Sequence, residues 1–88
     1  MQEKRWDVEI HIDEHDSRTR AQARLHNRDE TGLVGTGFAL LNPTDADVPE
    51  IGDELAVSRA LADLAHQLLD AAADDIEGVT GRPSHLTH

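Results

Sequence analysis

The chain of 88 residues contains no cysteine and no tyrosine, and its only large aromatic side chains are Trp6 and Phe38. Disulfides and thiolate metal sites are therefore excluded as sources of stability. The apolar interior has to be built from Leu, Ile, Val and Ala, and a chain of this length has room for one modest core. We expect a single domain over residues 1–88, with a loose N-terminus at residues 1–5 and an irregular tail at residues 79–88.

Basic residues are also scarce, with eight Lys and Arg against 18 Asp and Glu, so the formal net charge is −10. Such a surface repels phosphate backbones and anionic lipids, which disfavours nucleic acid and membrane surfaces as partners. No apolar run approaches the roughly 18 residues of a membrane-spanning helix, and no apolar run follows the N-terminal basic residues as in a signal peptide. We expect a cytoplasmic protein without a cofactor.

The first half of the chain alternates apolar and polar residues, which is typical of half-buried strands. We predict strands at residues 6–13, 19–25 and 33–41, with turns at 14–17 and 27–32. Trp6, Val8, Ile10 and Ile12 are expected to face the core. The outward residues of the first strand are acidic and those of the second basic, so in either antiparallel register Asp13 lies near Arg18 or Arg20. This charge pattern favours a hairpin.

The third predicted strand has two candidate inner faces. The larger side chains, including Val34, Phe38 and Leu40, favour burial of one face by hydrophobicity. The small residues Gly35 and Gly37 favour the other, because they let a helix approach closely. We predict that the small face lies under the helix, which leaves an exposed stripe of Val34, Phe38 and Leu40 as a candidate interface; burial of the stripe as ordinary core is the alternative.

The second half of the chain carries one long helical pattern, with apolar residues at steps of three and four. We predict a helix that starts near Gly52 or Asp53 and runs to about Glu77, with Gly78 as its C′ residue. The segment before it, from Val48 to Ile51, is expected to pack loosely. The predicted fold is α+β: a three-stranded antiparallel sheet with the helix packed on one face (β-β-β-α).

Four segments carry a family resemblance: EIHIDEHDSRTRAQARL, GTGFALLNP, VPEIGDELAVSRALADLAHQLL and RPSHL. Together they make the chain, from about Trp6 to Leu86, resemble a small actinobacterial family of unknown function. That family is described as having a fold like the double-stranded RNA-binding domain. The resemblance implies the same sheet-and-helix architecture, and it implies no catalytic residues.

RNA binding is the activity that this fold suggests, but the residues disfavour it. Double-stranded RNA-binding domains place lysines at the start of the last helix, whereas this chain has Asp53 and Glu54 there. Basic stripes and stacking aromatics, the usual footprint of nucleic-acid binding, are missing. RNA binding is therefore retained only as an alternative based on fold analogy.

The side chains that could support other chemistry are few. His11 and His15, with nearby carboxylates, are weak candidates for a metal or small-molecule site, and a tight zinc site would need three or four converging ligands. None of the serines lies in a nucleophile turn of the G-x-S-x-G type. We expect a non-enzymatic domain that acts by contact with a protein partner or with itself, as a homodimer or larger assembly.

Overall fold

A computed structural model describes residues 2–27, 31–40 and 49–80. Three strands and one helix follow in order: β1 (Asp7–His15), β2 (Arg18–His26), β3 (Thr31–Leu40) and α1 (Pro49–Thr80). The strands form one antiparallel sheet in the order β1-β2-β3. The predicted three-stranded sheet with a long C-terminal helix is thus confirmed. The predicted turn at residues 27–32, the loop after β3 and the tail from residue 81 lie wholly or partly outside the described residues.

A two-residue turn at Asp16 and Ser17 joins β1 to β2. Both residues have positive φ angles, 48° and 63°, as in a type I′ turn, whose twist matches the strands it joins. The turn fixes the register: His15 faces Arg18, and Asp13 faces Arg20. The Nη2 atom of Arg20 lies 2.7 Å from Oδ2 of Asp13, so the predicted cross-strand pairing of acidic and basic residues is confirmed at this position.

The core lies between α1 and the small-residue face of β2 and β3. An added Cβ at Gly35 would collide with the carbonyl oxygen of Ala60, and one at Gly37 with that of Ala56. The helix backbone therefore rests directly on β3, and the prediction that the small face lies under the helix is confirmed. The buried apolar residues are Ala21, Ala23, Leu25, Ala39, Ala56, Ala60 and Leu64.

The predicted burial of β1 is wrong. All nine of its residues are exposed, although Val8, Ile10 and Ile12 do lie on the helix side of the sheet, opposite buried residues of β2. The reason is the position of α1, which packs on β3 and β2 and hardly contacts β1. The first strand therefore extends beyond the cover that the helix provides.

Both predicted ends of the helix are also wrong. The helix begins at Pro49. Proline fits the first helical position because a backbone N–H there would have no acceptor within the helix, so its absence costs no hydrogen bond. The helix passes through Gly78 and ends at Thr80, so Gly78 is not a C′ residue and the segment predicted as an irregular tail begins with helix. Within the described residues, no helix is long and apolar enough to cross a membrane.

Candidate protein-interaction surface

Three polar side chains of α1 occupy the free edge of β3. Arg59 donates from Nη1 to the carbonyl oxygen of Phe38 at 2.6 Å. Asp63 accepts the backbone N–H of Thr36 at 2.9 Å, and Gln67 donates to the carbonyl oxygen of Val34 at 2.7 Å. The three helix residues are four apart and so share one flank. They satisfy three of the backbone groups that point away from the sheet, and the helix flank that carries them hinders the approach of another strand to this edge.

The same hydrogen bonds identify the backbone groups that point outward from β1. In an antiparallel sheet, the backbone N–H and C=O groups of successive residues point alternately to the two sides of their strand. Thr36 points away from β2, and its partner Gln22 therefore points toward β1 and bonds His11. The even-numbered residues of β1 must then direct their N–H and C=O groups to the open side; these are Val8, Ile10, Ile12 and Glu14.

An apolar surface accompanies this open edge. Val8, Ile10 and Ile12 retain 43, 36 and 43% of their surface, and Leu61 of α1 retains 43%. Val57 lies two residues before Arg59, and Leu61 lies two residues before Asp63. Two residues correspond to about 200° around a helix, so Val57 and Leu61 lie on the flank opposite the one that closes β3, toward β1. We call this surface the β1 trough: its floor is Val8, Ile10 and Ile12, and its wall is Val57 and Leu61.

The wall of the trough has an open depression lined by five helix residues, two of which are acidic. The depression has a volume of about 360 Å³, and its exposed lining is almost wholly apolar. Asp53 and Glu54 line it together with Ser58 and the two wall residues. An apolar surface beside carboxylates suits a partner with both apolar and basic side chains.

The stripe predicted from the sequence lies on the other face of the sheet. Phe38 and Leu40 are exposed, Leu40 to 78%, and Val34 is half-buried. The guanidinium of Arg18 lies 4.2 Å from the centre of the Phe38 ring, so this ring already has a cation–π partner. The orientation of the stripe is as predicted, and its role as an interface stays a prediction.

The weak metal candidates do not converge. His11 and His15 lie on the same face but four residues apart on a strand, which separates their Cα atoms by about 13 Å. His15 lies beside Asp16 in the turn. In the described parts of the chain, no group of three or more His, Asp or Glu side chains could hold a metal ion.

His11 belongs to a different cluster, in which Glu9 bridges two imidazoles. Its Oε2 atom lies 3.0 Å from Nε2 of His26, and its Oε1 atom contacts His11. The hydrogen bond from His26, and to a lesser extent that from His11, holds the pKa of Glu9 below its ordinary value. All three side chains are in contact with solvent, so the cluster joins β1 to β2 without enclosing a binding cavity.

Sequence reasoning missed both edges of the sheet. The helix residues that close β3 had one detectable signal, a polar stripe at steps of four beside the apolar stripe. The β1 trough had none, because its exposure depends on which strands the helix covers.

Comparison with known proteins supports this architecture. The model of the Rv2632c-like family matches residues 4–85. The chain belongs to this family. It is 55% identical over 83 residues to the uncharacterized protein Mb1767 of Mycobacterium bovis, covering 94% of this chain and 87% of that one. It is 49% identical over 80 residues to the uncharacterized protein Rv2632c of Mycobacterium tuberculosis, covering 91% and 85%.

A solved structure shows the same fold. The crystal structure of Rv2632c has a TM-score of 0.83 to this chain at 47% identity, covering 94% of this chain and 98% of that one. These relatives carry no assigned activity in their names, so any function of this member of the family has to be argued from its own surface.

Proposed function

We propose that this protein is a non-enzymatic interaction domain that binds another polypeptide as an added strand along β1. One observation carries the proposal: among residues 2–27, 31–40 and 49–80, α1 closes the edge of β3 with three hydrogen bonds but hardly contacts β1. An uncovered edge of nine residues with an apolar face is the template for strand addition. An added strand would complete the hydrogen bonds of β1 and cover the trough.

The charged groups support a polypeptide partner over nucleic acid. Four of the arginines already have a partner in the described structure. Arg5 pairs with Asp7 and Arg20 with Asp13, Arg59 bonds a backbone carbonyl, and Arg18 lies over the ring of Phe38. The helix starts with carboxylates rather than lysines. Phosphate binding requires available cations, so nucleic-acid binding by fold analogy remains the weaker alternative.

Two matched variants test the surface. Ile10→Lys places a charge at the centre of the trough floor, and Leu40→Lys places the same charge on the opposite face, in the stripe predicted from the sequence. Wild type and both variants are immobilised as bait for extracts of the source cell, and their oligomeric state is measured by light scattering. Circular dichroism checks that both variants fold.

The proposal requires a bound protein, or a second copy of the chain, that Ile10→Lys loses and Leu40→Lys retains. Either occupant satisfies the hydrogen bonds of the edge, and light scattering distinguishes them. Loss from Leu40→Lys alone would transfer the function to the stripe of Val34, Phe38 and Leu40. No difference among the three baits, with all three monomeric, would overturn the proposal.

A further inference from the structure

The chemistry around the β1 trough restricts what can occupy it. Between Asp7 and His15 the strand contains four carboxylates and no lysine or arginine. Three of them lie on the face opposite the trough, at Asp7, Glu9 and Asp13. On the trough side, Asp53 and Glu54 border the apolar wall. A strand added at this edge therefore meets apolar groups on the trough face and carboxylates on the opposite face.

A second copy of the chain fits this edge poorly. Every antiparallel register that sets Ile10 opposite an apolar residue of the second copy also sets carboxylates opposite each other. When Ile10 faces Ile10, Asp7 faces Asp13; when Ile10 faces Val8, Glu9 faces Glu9. Like charges directly across a strand pair are destabilising, and each copy carries a net charge of −10.

We infer that the β1 trough binds an extended segment of a different protein in which basic residues alternate with apolar ones. This inference rests on the proposed function and specifies its partner. The apolar side chains cover Ile10 and its neighbours, and the basic side chains lie opposite the acidic row of β1. The partner's backbone bonds the outward N–H and C=O groups of Val8, Ile10 and Ile12.

The protein already contains an example of this complementarity. On its inner side, β1 pairs with β2, in which arginines alternate with small or apolar residues. That register sets Arg24 opposite Glu9 and Arg20 opposite Asp13, and the second pair forms an ion pair. Asp7, Glu9 and Asp13 already have partners in Arg5, His26 and Arg20, but each of the three side chains keeps half or more of its surface exposed. A carboxylate can accept several hydrogen bonds, so the outer side still offers these carboxylates, with larger apolar neighbours to cover.

Three synthetic nine-residue peptides with blocked ends test the inference. The first alternates valine and arginine, starting and ending with valine. The second replaces each arginine by glutamate. The third has the composition of the first, but with the valines and the arginines in two separate blocks. Fluorescence anisotropy at low salt measures binding to wild type, Ile10→Lys and Leu40→Lys.

The alternating valine–arginine peptide is expected to bind at least tenfold more tightly than either control peptide. Ile10→Lys weakens this binding at least tenfold, whereas Leu40→Lys, with the same added charge, changes it less than threefold. In the complex, amide hydrogen exchange slows at Val8, Ile10 and Ile12. The amide of Thr36, which is already bonded to Asp63, does not change.

Equal binding of the alternating and block peptides would show that binding depends on net charge and not on the alternation of residues, and it would overturn the inference. Binding that leaves the three amides of β1 unprotected would also overturn it. A wild-type dimer that Ile10→Lys dissociates, without peptide binding, would overturn the inference but keep the proposed function. If peptides, extracts and light scattering all fail to show dependence on Ile10, both are overturned.

Discussion

The carboxylate of Asp63 accepts the backbone N–H of Thr36 at 2.9 Å, across 27 positions of sequence. This bond lies at the middle of the free edge of β3, with the bonds of Arg59 and Gln67 on either side. Gln67 also donates to the carboxylate at 3.2 Å. The helix thus covers β3 from above with its small residues and from the side with its polar ones. Of the two edges of the described sheet, the edge at β1 is the one that α1 hardly contacts.

Asp63→Ala should destabilise the fold and open the edge of β3. The substitution leaves a half-buried backbone N–H without its acceptor, which typically costs about 1–3 kcal/mol. We expect a loss of about 2 kcal/mol in the free energy of unfolding, measured by urea denaturation. Light scattering at high concentration should also show more association than for wild type, because an unpaired edge is exposed.

Asp74→Ala is the control for the loss of a negative charge, since Asp74 is an exposed residue of the same helix. It should change the free energy of unfolding by less than about 0.5 kcal/mol. Equal effects of the two substitutions would show that the carboxylate of Asp63 acts through charge alone and does not protect the edge.

Gly35→Ala and Gly37→Ala should be among the most damaging single substitutions in the chain. Their methyl groups would collide with helix backbone rather than with movable side chains, so α1 must move away from β3. We expect each to cost about 3 kcal/mol, the upper part of the range for overpacking. Thermal unfolding followed by circular dichroism measures the loss.

Gly78→Ala is the matched control for these glycine substitutions. An added Cβ at Gly78 meets no atom within 4 Å, and alanine favours the helix by up to about 1 kcal/mol. Near the helix end we expect a gain of about 0.5 kcal/mol. Destabilisation by all three substitutions would argue against close helix–sheet contact as the cause.

Ser17→Gly should stabilise the hairpin. Ser17 has a φ of 63°, a left-handed conformation that costs an ordinary residue about 1–2 kcal/mol, whereas the entropy cost of glycine is about 0.5–1 kcal/mol. We expect a net gain of about 0.5–1 kcal/mol, which raises the melting temperature by roughly 2–8 °C for a domain of this size. Ser58→Gly, within α1, should do the reverse.

The sequence predicted the strands and the helix of this fold better than it predicted which of their side chains are buried or in contact. Alternation located β1 and β2 to within two residues, because the period of a strand is a local property of the chain. The small residues at Gly35 and Gly37 correctly indicated the face under the helix. The helix begins at Pro49, and proline at that position is a strong local signal for a helix start. The prediction of Gly78 as the C′ residue is wrong because a glycine near a helix end does not have to terminate the helix.

Burial and side-chain contacts could not be predicted because they depend on where α1 lies on the sheet. The alternation of Val8 and Ile10 is the same whether a helix covers β1 or not, so burial could not be distinguished from half-exposure. The closing of β3 by Asp63 depends on the lateral position of α1, which no local pattern specifies. The candidate surface identified from the sequence was consequently the stripe with Phe38, while the β1 trough became visible only in three dimensions.

Glu9→Gln should remove a pH-dependent part of the stability. The hydrogen bonds from His26 and His11 hold the pKa of Glu9 in the folded state below its ordinary value of 4.5. A depressed pKa contributes stability that is present above pH 4.5 and is lost as the pH falls through the folded value. Wild type should therefore be more stable than Glu9→Gln near pH 6, and the difference should shrink as the pH falls below 4.5.

Urea denaturation at a series of pH values from 3 to 7 measures this difference. Glu14→Gln is the control, because Glu14 lies on the same strand and no described histidine contacts its carboxylate in a comparable bridge. Its difference from wild type should be smaller and should not follow the same pH dependence. A Glu9→Gln difference that stays constant from pH 6 to pH 3 would show that the bridge between β1 and β2 does not depend on the charge of Glu9.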